Sequence, residues 1–151
     1  MNQKDYQCSI TAKVTPAAAF ESVCRVPAWW VTDFEGRAEK LGDEFTIHFG
    51  ETLVSMRLAE CIAPKKVVWE VTSSWLPWLK NKTEWKGTKI VWEVIPQGES
   101  TEVLMTHVGL VPDAECYDDC RQGWNGYIQG SLLKLLTEGK GMPHDKAAVS
   151  S

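Results

Sequence analysis

No run of apolar residues in this sequence approaches the ~20 needed to cross a bilayer as a helix, so a membrane span is not expected. The opening residues Met1 to Asp5 lack the apolar core of a secretory leader and lead straight into a strand-like segment. Cysteine occurs five times but never as Cys-x-x-Cys, and an odd number without that spacing does not make a disulfide framework. Reduced cysteines and the lack of a targeting signal give a cytoplasmic location as the expectation. Basic charge is also short. Sixteen Lys and Arg face twenty Asp and Glu, a net charge of -4, which excludes the basic footprint that nucleic-acid binding needs. The lysines that do gather, Lys80, Lys82, Lys86 and Lys89, surround Glu84 and read as a solvated hairpin. There is no phosphate loop, no dinucleotide fingerprint and no recognisable nucleophile with its base.

What is abundant is tryptophan, eight residues in a chain of 151. Indoles fill volume and favour sites with one apolar and one polar end, so they serve a packed core or the wall of a ligand cavity equally well. The length fits one domain, 1–151, with an ordered core over about 5–141 and a tail at 142–151 expected to be disordered.

Alternation from Tyr6 to Val14, with Tyr6, Cys8, Ile10 and Ala12 on one side, predicts a half-buried strand. Thr15-Pro16 supplies a capping residue and a proline at the first helical position, so a short helix follows and stops near Pro27. Pro27-Ala28-Trp29-Trp30 is expected as a loop. Glu35 to Glu39 is a weak strand candidate. Stronger ones are Glu44–Phe49, Leu53–Ile62, the segment around Val67, Trp69 and Val71, a strand after Gly87 bearing Ile90, Trp92 and Val94, and Thr101–Leu110. Short strands without intervening helices imply an antiparallel meander of about six strands.

One face of that sheet is apolar throughout, and a helix from about Glu115 to Glu138, stopped by Gly139, is the element that covers it. Its stripe carries Cys116, Tyr117, Cys120, Trp124, Tyr127, Ile128, Ser131, Leu132 and Leu135. Three glycines interrupt it. Gly123, Gly126 and Gly130 each cost about 1 kcal/mol relative to Ala in a helix interior. They imply either the close approach of another group along their flank or a break near Gly123.

The order strand, helix, antiparallel strands, long helix resembles the helix-grip fold of the START-like (SRPBCC) superfamily, an α+β architecture. It is similar in particular to the family of the C-terminal domain of the activator of the heat-shock protein 90 ATPase. The resemblance is carried by Thr15-Pro16, Trp29-Trp30, Leu41-Gly42-Asp43-Glu44-Phe45, Glu84-Trp85-Lys86-Gly87-Thr88, Thr106 to Pro112, Gly123-Trp124 and Gly139-Lys140-Gly141. It implies a curved sheet wrapped around the C-terminal helix, with a cavity between them that accepts hydrophobic molecules. A fold this widely used does not name an activity. Binding of a small lipophilic molecule, as carrier or sensor, is the first expectation. A cyclase or hydrolase using the same cavity, or a chaperone-interaction domain, are the alternatives.

The side chains expected to line the cavity are Trp30, Phe45, Met56, Trp69, Trp92, Met105, His107, Cys120, Trp124 and Tyr127. His107 shares its strand face with Val103 and Met105. It is either a polar anchor or proton-transfer group, or a buried histidine satisfied by a neighbour. Cys116 and Cys120, four apart on one helical face, would give with His107 three of four zinc ligands. Their spacing is a poor match to structural zinc sites, so neither metal nor cofactor is expected. Glu84 is either an acid at the cavity mouth or an exposed hairpin carboxylate.

Overall fold

The computed structural model describes residues 4–143. Residues 144–151, most of the tail expected to be disordered, lie outside the described residues.

Strand β1 (Tyr6–Ala12) alternates buried and exposed residue by residue, as its sequence does. Helix α1 (Pro16–Cys24) starts where Thr15 caps it, its hydroxyl accepting the Ala18 N–H at 3.1 Å. The expected loop at Pro27 is instead a helical turn, α2 (Val26–Trp29). Proline fits there because it occupies the first turn, where its missing N–H has no intrahelical partner to lose.

Six further strands follow: β2 (Phe34–Gly36), β3 (Glu44–Phe49), β4 (Thr52–Ile62), β5 (Lys66–Trp75), β6 (Lys89–Gln97) and β7 (Ser100–Val108). The sheet therefore has seven strands, in the order β1-β7-β6-β5-β4-β3-β2, every neighbouring pair antiparallel. The seventh is the short weak candidate near Glu35, which pairs Phe34 with Ile47 and Gly36 with Phe45. Gly36 is required there. Its φ is +100°, and a Cβ would lie 2.2 Å from the Glu44 carbonyl oxygen. Register shifts in the β4–β5 pair, between Ser55 and Met56 and between Leu58 and Glu60, interrupt the two longest strands. Such bulges bend and twist a sheet.

The C-terminal helix is continuous but not uniform. α3 (Tyr117–Asn125) passes into a wider π-helical stretch, Gly126–Leu132, and then α4 (Leu133–Glu138). Gly139 ends it in the left-handed conformation at φ +81°. No break occurs at Gly123. Nor is the flank closely approached: a Cβ at Gly123, Gly126 or Gly130 would meet nothing within 4 Å. The close approach is at Gly141, where a Cβ would lie 2.6 Å from the Ala28 carbonyl oxygen. There the chain returns over the helix, and the Ser131 hydroxyl donates to Trp29 O at 2.6 Å while accepting the Met142 N–H at 2.7 Å.

The apolar face of the sheet and the stripe of the helix meet in one core. Trp29, Trp69, Trp92, Phe45, Met56, Ile90 and Met105 are fully enclosed at its centre. The indoles interlock: Trp69 and Trp92 meet edge to face at 5.3 Å, and Trp30 stacks on Trp69 at 6.1 Å. All five cysteines are free. No helix among the described residues is long and apolar enough to cross a membrane.

Candidate functional site

At one end of this core the packing opens into a cavity of about 270 Å³. Its sheet wall is Ile47 and Phe49 on β3 and Thr52 and Val54 on β4; Trp30 borders it from the segment after α2. The segment between β5 and β6 adds Leu76, Trp78 and Trp85, and the C-terminal helix adds Cys120, Gly123, Trp124 and Tyr127. Trp78 is half-exposed and marks the mouth. No charged side chain lines the cavity.

Of the ten side chains expected there, the structure brings Trp30, Cys120, Trp124 and Tyr127 together on its wall. Phe45, Met56, Trp69, Trp92 and Met105 lie deeper, in the solid part of the core. The reason is the length of the sheet. Its inner face extends past the cavity, which lies beside the β3–β4 turn, and these five side chains belong to the packed core cluster beyond it. Among the residues not anticipated, Trp78 and Trp85 sit on a segment whose sequence carries no periodicity. Ile47, Phe49 and Val54 carried a signal in their alternation but did not stand out from other inward-facing strand residues.

His107 does not line the cavity. It is fully buried behind Trp124 and Trp85, whose rings meet its own edge to face at 6.0 and 4.7 Å. Trp124 Nε1–H donates to His107 Nδ1 at 3.1 Å, so that nitrogen carries no proton. The proton is therefore on Nε2, which donates to the Thr88 hydroxyl at 3.0 Å; that hydroxyl donates in turn to Trp85 O at 2.6 Å. The chain of donors is complete and leaves the imidazole no free atom. Burial pushes its pKa down to about 3, so it stays neutral at ordinary pH.

Glu84 is neither a free acid nor a merely solvated carboxylate. Its two oxygens accept the backbone N–H groups of Glu115 and Cys116 at 2.7 and 3.0 Å. Glu115 reciprocates, accepting the N–H groups of Lys80 and Asn81 at 2.7 and 3.0 Å, and those bonds hold its carboxyl below the usual range. The two carboxylates tie the segment that walls the cavity to the approach of the C-terminal helix. Trp85 Nε1–H donates to Cys116 Sγ at 3.2 Å, adding a third tie. Cys116 is fully buried beside Cys120, and its thiol is held protonated by its contact with Cys120 and by desolvation. Among the described residues no group of three His, Cys, Asp or Glu is placed to hold a metal ion.

Three buried polar atoms lack a hydrogen-bond partner among the described residues: Nε1 of Trp69, Nε1 of Trp92 and the Ser74 hydroxyl. The two indoles have ring neighbours in edge-to-face contact, Phe45 and Trp92 for Trp69, Trp29 and Trp69 for Trp92. Ring faces are weak acceptors. Ser74 sits directly opposite Val54 in the β4–β5 ladder.

The family model described as Activator of Hsp90 ATPase homolog 1-like protein matches residues 18–137. The chain belongs to this family. Its helix-grip architecture is that of the START-like (SRPBCC) superfamily, and solved structures share it. The Aha1 dimer from Colwellia psychrerythraea superposes with a TM-score of 0.74 at 21% identity, covering 91% of this chain and 98% of that one. DynU16, from the dynemicin biosynthetic locus, gives 0.67 at 12%, covering 93% of this chain and 49% of that one. CalU16 from Micromonospora echinospora gives 0.62 at 11%, covering 86% and 73%. At these identities the likeness establishes the fold of this family member alone. No curated protein matches it by sequence.

Proposed function

We propose that this family member binds a small lipophilic molecule in the cavity between the β3–β4 end of the sheet and the C-terminal helix, as a carrier or sensor. The observation that carries the reading is the cavity itself: about 270 Å³, walled by aromatic and aliphatic side chains, without a charge. Ligand pockets are concave, mostly apolar and sparsely polar, and this one falls just below their usual range of about 300–1,000 Å³. Removing apolar surface of guest and wall from water supplies the driving force, about 25 cal/mol per Å².

Binding rather than catalysis fits the polar groups available. His107 has both ring nitrogens engaged and sits behind the wall. Glu84 spends both oxygens on backbone N–H groups. A general base or acid has to reach the substrate's proton, and neither side chain is free to do so.

Four of the lining residues are tryptophans, so occupancy is read from intrinsic fluorescence. Titration with acyl alcohols, sterols and small aromatics, followed by quenching and thermal shift, should give saturable binding and a raised Tm for at least one class. A panel of all three classes that alters neither signal refutes the reading.

A further inference from the structure

We infer that the guest is a neutral, flat aromatic of two fused rings rather than an acyl chain, an inference that rests on the binding role proposed above. Four observations lead there.

The first is size. A cavity of about 150 Å³ holds one benzene ring, so the 270 Å³ between these walls encloses about two rings, and a sterol or a long chain would have to extend through the mouth into water.

The second is the wall. Six lining residues are aromatic, Trp30, Phe49, Trp78, Trp85, Trp124 and Tyr127. Their mutual arrangement is already that of an aromatic cluster. Trp85 and Trp124 are parallel to within 9° at 6.0 Å, and Trp30 stands at 38° to Trp124 with centroids 4.8 Å apart. Aromatic contacts add about 0.5–1.5 kcal/mol each beyond their area, through the alternation of negative ring faces and positive ring edges. A saturated chain of equal volume obtains the area alone and loses rotational freedom on entering, which a rigid bicycle does not.

The third is charge. The cavity offers no Lys, Arg or His to a carboxylate and no Asp or Glu to an amine. The indole N–H groups of Trp85 and Trp124 are spent on Cys116 and His107. Burial holds the Tyr127 hydroxyl protonated. An ionised guest would enter without an opposite charge to pair with, which is unfavourable in an apolar site.

The fourth is rigidity. Glu84, Glu115 and the Trp85–Cys116 bond pin the walling segment to the helix approach. Trp30 stacks on both Trp29 and Trp69, parallel to within 13° and 5°. A preformed slot of this kind selects by shape.

The test uses calorimetry at neutral pH on the intact chain with three probes: 2-naphthol, 1-decanol and 2-naphthoate. We expect 2-naphthol to bind at least tenfold more tightly than 1-decanol, and 2-naphthoate at least tenfold more weakly than 2-naphthol. Equal or tighter binding of 1-decanol overturns the aromatic assignment and leaves the binding role standing. Equal binding of the naphthoate overturns the neutrality argument. Failure of every probe here, and of the wider panel above, removes the binding role as well. Gly123→Leu places a side chain at the cavity rim, where the glycine leaves open space. Loss of 2-naphthol binding in that variant, with an unchanged far-ultraviolet spectrum, locates the site; unchanged affinity overturns the assignment to this cavity.

Discussion

Replacing Gly123, Gly126 and Gly130 by alanine, singly and together, should stabilise the protein. Each lies in the interior of the C-terminal helix with helical backbone geometry, and a Cβ at each would meet no atom within 4 Å. The penalty of glycine is therefore the conformational freedom it loses on folding, and alanine recovers about 0.8–1.0 kcal/mol per position in a helix interior. Three substitutions give about 2–3 kcal/mol. For a chain of this size that raises Tm by roughly 5–10 °C. Gly141 is the internal control. The same substitution there drives a Cβ to 2.6 Å from the Ala28 carbonyl and 3.0 Å from Ser131, so it should destabilise. Urea titration of the four single variants and the triple variant measures both signs in one experiment. A loss of about 1 kcal/mol or more at Gly123 or Gly126, or a neutral Gly141→Ala, would refute the account of where this helix is crowded and where it is open.

Three further outcomes follow from the hydrogen-bonded groups behind and beside the cavity. His107 has a folded pKa of about 3 against 6.5 unfolded, so its contribution is complete above pH 6.5 and is lost as pH falls toward 3. With a limiting slope of about 1.4 kcal/mol per pH unit, reached only once the unfolded imidazole is fully protonated, about 1.6 kcal/mol should go between pH 6.5 and 5. His107→Asn should lack that loss, and urea curves of both proteins running parallel across the interval would contradict it. Thr88→Val leaves the His107 Nε2–H unpaired and should cost about 1–3 kcal/mol in thermal or urea unfolding, while Thr88→Ser retains the hydroxyl and most of the stability. Glu84→Ala frees the backbone N–H groups of Glu115 and Cys116, so hydrogen exchange at those two amides should accelerate while exchange in β6 and β7 stays unchanged.

The fold was legible because each of its devices is local. Alternation in Tyr6–Ala12, Glu44–Phe49 and Ser100–Val108 specifies a face, since moving one residue along a strand reverses it. Thr15-Pro16 and Gly139 mark helix ends through their own backbone chemistry. Less legible were the short elements between the longer ones. β2 has only three residues, and the weak strand signal near Glu35 is completed by the edge that β3 offers Phe34-Glu35-Gly36. α1 does stop before Pro27, at Cys24; the helical turn that follows takes the place of the expected loop, and a proline in its first turn costs nothing.

The cavity is the hardest case, because it is a difference between two surfaces rather than a property of either. Periodicity identifies which residues face inward, and Phe45, Met56, Trp69, Trp92 and Met105 do so as surely as Trp30 or Trp124. It does not say which of them meet a partner. That depends on how far the C-terminal helix stands from each part of a bent sheet, and on a segment, 76–88, that no strand or helix occupies. The glycine row, which implies either a close approach along that flank or a break near Gly123, marks open space instead. Glycine is needed where a backbone is approached, but it is also tolerated where nothing fills the space beside it, at a cost of about 1 kcal/mol per site. At Gly123, on the rim of the cavity, retaining that cost keeps the mouth free of a side chain. Stability and access therefore oppose each other at this position, and substitutions there should trade one for the other in proportion to the volume added.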